Sequence, residues 1–141
     1  MRRQRRTGPG NRCHRANERG AILAEFALVA PVLIMIVFGI IEFAFVLSRS
    51  QAIEAAAREG GRLASLSSTT TADIEARVGD ALVAVPLDGA PTVTVSPVQA
   101  CLGREGQAVT VTVTAPHRLT IPLVLDRQLT LQGRSVFRCE A

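Results

Sequence analysis

The sequence predicts an α+β protein: a long N-terminal transmembrane and stalk helix, then a small extracytoplasmic domain of one helix packed on a three- to four-stranded antiparallel sheet. Three observations carry that expectation. An apolar run extends from Ala21 to Leu47, apolar residues then recur at helical intervals, and valine and threonine alternate strictly in the last third of the chain. At 141 residues the chain has room for one modest core beside a membrane segment, and not for two domains.

The first element is a basic leader, residues 1–20. Seven of the sixteen basic residues (Arg2, Arg3, Arg5, Arg6, Arg12, Arg15 and Arg19) stand there against one acid, Glu18. The overall net charge of +4 therefore hides an arm of +6 and a remainder near −2. A remainder with that balance is not the footprint of a nucleic-acid-binding domain. Arginines directly before an apolar span stay on the cytoplasmic side, so the span is expected to run N-terminus in and C-terminus out. Residues through Arg19 have almost no apolar content and are expected to be disordered.

The span, 21–47, holds 27 residues. As a helix it would reach about 40 Å, more than the roughly 30 Å of hydrocarbon it must cross. The run is too long for a cleavable secretory signal. Pro31 removes one helical hydrogen bond and frees the Ala27 carbonyl, which predicts a kink. Two carboxylates interrupt the apolar pattern. Glu25 lies near the inner end, and a carboxylate in hydrocarbon costs about 2.5 to 3.5 kcal/mol unless it meets a partner. Glu42 lies near the outer end, where it either snorkels to the interface or packs between helices; the sequence leaves both open.

Beyond the span, residues 48–66 keep Ala52, Ile53, Ala56, Ala57, Leu63 and Leu66 at helical spacing with charges elsewhere, which predicts an amphipathic stalk that Gly60 and Gly61 end or bend. The domain proper is expected over 72–141. Ile74, Val78, Ala81, Leu82 and Val85 mark a helix over 72–85, with Thr71 or Asp73 as its start and Pro86 as its stop. TVTVS (92–96) and AVTVTVTA (108–115) are strands with one apolar face, joined through the turn-rich CLGREGQ; Leu129 to Cys139 is the third. Leu119 to Leu125 is left open because Pro122 disfavours a strand. Cys101 and Cys139 form an even pair in a compartment that oxidises thiols, which suggests a disulfide; unpaired buried thiols are the alternative.

No catalytic constellation stands out, and no cofactor is expected. His14 belongs to the leader, with Cys13 beside it, and neither has further ligands at metal spacing. His117, between Pro116 and Arg118, reads as a surface histidine. Asp73, Glu75 and Asp80 supply the solvated face of a helix. A membrane-attached enzyme would have to draw on residues such as His117 and Asp126, and no nucleophile accompanies them.

The opening of the span is more specific. Arg19-Gly20-Ala21-Ile22-Leu23-Ala24-Glu25-Phe26 resembles the processing site of type IV prepilins, and EFALVAPVL, FGIIEF and AAAREGGR are similar to the TadE-like family of the tight-adherence (Flp, type IVb) pilus systems. The resemblance covers roughly Gly20 to Arg62. It implies cleavage between Gly20 and Ala21 by a prepilin peptidase and a role in pilus assembly as a minor pilin or pseudopilin. Glu25 and Phe26 would serve subunit pairing and recognition, with Glu25 meeting the new α-amino group of Ala21. Partners implied are the peptidase, other pilin-like subunits, the assembly platform and the bilayer. Phe26 stands where major Flp pilins usually carry tyrosine, and the chain is far longer than those subunits, which points to a minor component. The competing reading is a signal-anchored membrane protein with an outer binding domain unrelated to pili.

Overall fold

The computed structural model describes the backbone of residues 12–121 and 125–140, with side chains described from Gly20 onward. Two helices and three strands follow in the order α1 (Arg12–Ala64), α2 (Thr71–Leu82), β1 (Thr92–Ser96), β2 (Ala108–Ile121) and β3 (Leu125–Arg138). The chain divides into two compact units, Met1–Phe38 and Gly39–Ala141.

In the first unit α1 begins at Arg12, so the expectation of a disordered segment through Arg19 gives way to helix over 12–19; the rest of that leader lies outside the described residues. Arg, Ala, Asn and Glu all tolerate helical backbone, and a helix already nucleated downstream extends through them at little cost. Helix continues through Pro31. The large apolar side chains from Ile22 to Phe38 are exposed. Within Gly20–Ala64 the most apolar window reaches a mean hydropathy of 2.6 with none of it buried, as a helix solvated by lipid requires.

The second unit is an antiparallel sheet in the order β1-β2-β3, covered by α2 and the C-terminal part of α1. Its core joins Ile53, Ala56, Ala57 and Ala64 of α1, Ile74, Val78 and Leu82 of α2, and Val95, Val109, Val111 and Val113 of the sheet. The amphipathic stretch after the span is thus one wall of the domain. Gly60 and Gly61 do not end α1, which runs on to Ala64. They let it approach its neighbours: a Cβ at Gly60 would lie 2.7 Å from Val78 Cγ2, and one at Gly61 would collide with Ser135 and Phe137. Gly133 answers from the sheet, where a Cβ would stand 2.6 Å from the Ile53 carbonyl oxygen and 2.8 Å from Glu54 Cα. There is no bulge at this glycine, because the β2–β3 register passes through Val113↔Gly133 unbroken. Ser135 Oγ donates to the Ala57 carbonyl at 2.6 Å and pins the seam.

Helix α2 starts one residue earlier than its periodicity suggests and ends three earlier. Thr70 caps it: the Thr70 hydroxyl accepts from the Asp73 backbone N–H at 3.3 Å while the Asp73 carboxylate accepts from the Thr70 N–H at 3.0 Å. The Thr70 hydroxyl also donates to Asp73 Oδ2 at 2.6 Å, and this bond first, then that from the Thr70 N–H, holds the Asp73 carboxyl below its ordinary value.

Strand β2 is six residues longer than the alternation alone gave, and passes through Pro116. The reason is topological. β1 pairs with β2 only from Thr110 to Thr114, so from Ala115 on β2 has a neighbour on one side and a position without an N–H is tolerated. β3 likewise begins four residues before Leu129, and of the Leu119–Leu125 stretch left open by the sequence, Leu119 to Ile121 belong to β2 and Leu125 to β3, Pro122 and its two followers lying outside the described residues. Between β1 and β2 the CLGREGQ segment turns by three successive main-chain bonds, with Gly103 and Gly106 at φ +66° and +74°. That turn brings Cys101 and Cys139 to disulfide distance, Cα atoms 5.2 Å apart, and both are buried.

Candidate functional site

Two groups of residues stand out, one on each part of α1. On the first part, Gly20, Ala21, Glu25 and Phe26 lie exposed at the start of the apolar helix, and Phe26 is 67 % exposed. Ala21 and Glu25 are four residues apart in continuous helix and so share a face. Pro31 is exposed on the same helix. Nothing lies within 4 Å of a Cβ position at Gly20.

The second group is a polar cluster that the sequence did not announce. His117 is 2 % exposed, which corrects the reading of it as a surface histidine. Along β2 the alternation Val109, Val111, Val113, Ala115, His117 continues past Pro116, and the imidazole takes the next inward position. Its Nδ1 contacts Arg49 Nη1 and lies 2.9 Å from Asp88 Oδ2; its Nε2 lies 3.8 Å from Glu42 Oε1 and has no hydrogen-bond partner among the described residues. Arg49 Nη1 donates to Asp88 Oδ2 at 3.0 Å, and the Arg118 backbone N–H donates to the same oxygen at 2.9 Å. Asp88 is thereby held below the usual carboxylate range, chiefly by that backbone N–H, then by the His117 hydrogen bond and the Arg49 charge, against partial burial that pushes the other way. The Glu42 carboxylate accepts from the Thr120 backbone N–H at 3.3 Å. The neighbour that Glu42 meets is a strand, and not the helix of the packing role the sequence left open.

At the outer edge of the cluster Arg118 and Asp126 form a two-point ion pair, Nε to Oδ1 at 2.9 Å and Nη2 to Oδ2 at 2.6 Å. Each steadies the other's charge: the hydrogen bond from Arg118 lowers the Asp126 carboxyl, and that to Asp126 raises the Arg118 guanidinium. Chemically the cluster holds rather than opens. The ring nitrogen that a general base would present to a substrate faces Glu42, and Arg49 and Asp88 occupy the other. Cys101 and Cys139 come together near the start of β2, whereas the cluster sits near its end.

An exposed apolar helix leading into an α+β fold gives one candidate membrane span among the described residues. The apolar segment and the helix after it are similar to one family: the model described as TadE-like protein matches residues 20–62, from the glycine before the apolar run to the arginine after the glycine pair. No curated protein and no solved structure matches the chain. The matched segment contains Glu42, Arg49, Ile53, Ala57, Gly60 and Gly61, helix positions that meet the sheet or the cluster.

Proposed function

We propose that this chain is a minor pilin or pseudopilin of a tight-adherence (type IVb) pilus or a related secretion system, trimmed by a prepilin peptidase between Gly20 and Ala21 and acting in assembly rather than catalysis. The observation that carries the reading is the Arg-Gly-Ala-Ile-Leu-Ala-Glu-Phe sequence, residues 19–26, with Gly20 to Phe26 exposed at the start of an apolar helix and inside the TadE-like match. Cleavage would leave a free ammonium on the first residue of the helix, where the backbone N–H groups already concentrate positive charge. A carboxylate one turn on offsets that charge, within the chain or from a neighbouring subunit, and so gives Glu25 a partner. The arginine leader keeps the scissile bond at the inner face of the bilayer until then. Partners on this reading are the peptidase, other pilin-like subunits and the membrane platform.

Intact-mass measurement on protein extracted from membranes of a host with the peptidase tests the processing step: the expected mature chain begins at Ala21, and one still beginning at Met1 would favour the signal anchor with an unrelated outer domain. Glu25→Ala is expected to be cleaved normally yet to be lost from filaments or from complexes isolated with other pilin-like subunits. Normal co-isolation would remove the pairing role.

A further inference from the structure

The apolar run is about 10 Å longer than a bilayer core requires. The structure shows what accompanies the surplus. β2 descends antiparallel to α1: Val111 lies against Gly60, His117 against Arg49, and Thr120 against Glu42. The Ile121–Leu125 pair that ends the described β2–β3 ladder therefore lies next to the level of Glu42, five apolar residues before the run ends at Leu47. Counted from Ala21, the twenty-one residues through Ile41 already make a helix of about 31 Å, enough to cross the hydrocarbon.

Beside the hairpin, α1 turns Glu42 and Arg49 toward protein and leaves Phe43, Phe45 and Leu47 exposed at 67 %, 54 % and 47 %. From the hairpin, Leu125 is 39 % exposed and its register partner Ile121 is half-buried. The exposed Arg118–Asp126 ion pair borders this apolar end. An apolar surface continuous with a lipid-facing helix, bordered by paired charges, has the layering of a membrane interface.

We propose that Phe43, Phe45, Leu47, Ile121 and Leu125 form a collar seated in the outer leaflet, at the boundary between acyl chains and headgroups, so that the domain docks directly on lipid. The Arg118–Asp126 pair lies in the headgroup layer. Glu42 is held at the same depth as a satisfied acceptor of the Thr120 N–H, which is how a carboxylate is kept there. The inference requires α1 to be a membrane helix and does not require processing or pilus assembly.

The chain contains no tryptophan and no tyrosine, so single-tryptophan variants report cleanly. Leu125→Trp, Val136→Trp and Leu33→Trp are reconstituted as full chains in phosphatidylcholine bilayers with or without brominated acyl chains. Val136 is 57 % exposed on the same strand, about 36 Å from Leu125 along β3. Leu33→Trp should lose emission to the bromolipid and confirms the span by itself. Leu125→Trp should lose a comparable fraction and resist aqueous acrylamide, while Val136→Trp should be quenched by acrylamide alone. Quenching of Leu125→Trp by acrylamide and not by bromolipid would overturn the collar with the span intact. Protection from both quenchers would also overturn it, because a protein surface and not lipid would then cover the site.

Discussion

Asp88 is the residue on which the polar cluster turns, since it takes hydrogen bonds from Arg49, from His117 and from the Arg118 backbone. Its carboxyl is lowered in the folded protein, so the native state binds fewer protons there than the unfolded chain. The stabilisation is complete above an ordinary carboxyl value of about 4 and is lost as pH falls through the depressed folded value. Chemical denaturation of wild type and Asp88→Asn should show the larger gap at about pH 7 and a shrinking one toward about pH 3. A gap independent of pH would mean that the charge contributes nothing. The cluster illustrates what was hidden in the sequence. Pro116 masked the continuation of β2, and once the strand is carried past it the period-two pattern assigns His117 inward without further information. Glu42 and Asp88 were beyond such reasoning, because their partners lie 78 and 29 positions away in the chain.

At the scale of elements, the helix–sheet seam rests on glycines that face backbone. Gly133→Ala would push a methyl into the Ile53 carbonyl and the Glu54 backbone, neither of which can rotate aside. Destabilisation of about 1 to 3 kcal/mol is expected from that overpacking. Gly79→Ala makes the contrast: it sits within α2 with nothing near its Cβ position, so the same change should stabilise by about 0.5 to 1 kcal/mol. Denaturant midpoints of the two variants check both signs together. Periodicity read these elements well. β1 is where TVTVS placed it, and Ile74, Val78 and Leu82 are buried as the helical spacing required. It read the glycines less well, since Gly60 and Gly61 look like a stop by composition and only the positions of α2 and the sheet reveal that the missing side chains are room for Val78 and Phe137.

For the whole molecule, the cysteine pair closes a loop with a sequence separation of 38 around the β1–β2 turn and the two long strands. If the bond forms outside the membrane, its constraint on the unfolded chain should be worth about 3 to 5 kcal/mol. Non-reducing peptide mapping should show Cys101 joined to Cys139, and reduction should lower the denaturation midpoint by a corresponding amount; free thiols in protein recovered from outside the membrane would remove the expectation.

The Glu42–Thr120 hydrogen bond and the glycine seam grip α1 at two levels of the same sheet. Their spacing tolerates no change in length. Adding a single leucine between Ala44 and Phe45 would leave hydropathy untouched, yet it would rotate Glu42 by about 100° away from the strand while Gly60 stayed in place. Over this stretch relatives with the same architecture should therefore differ by substitution and not by insertion or deletion, a constraint that no hydropathy profile contains.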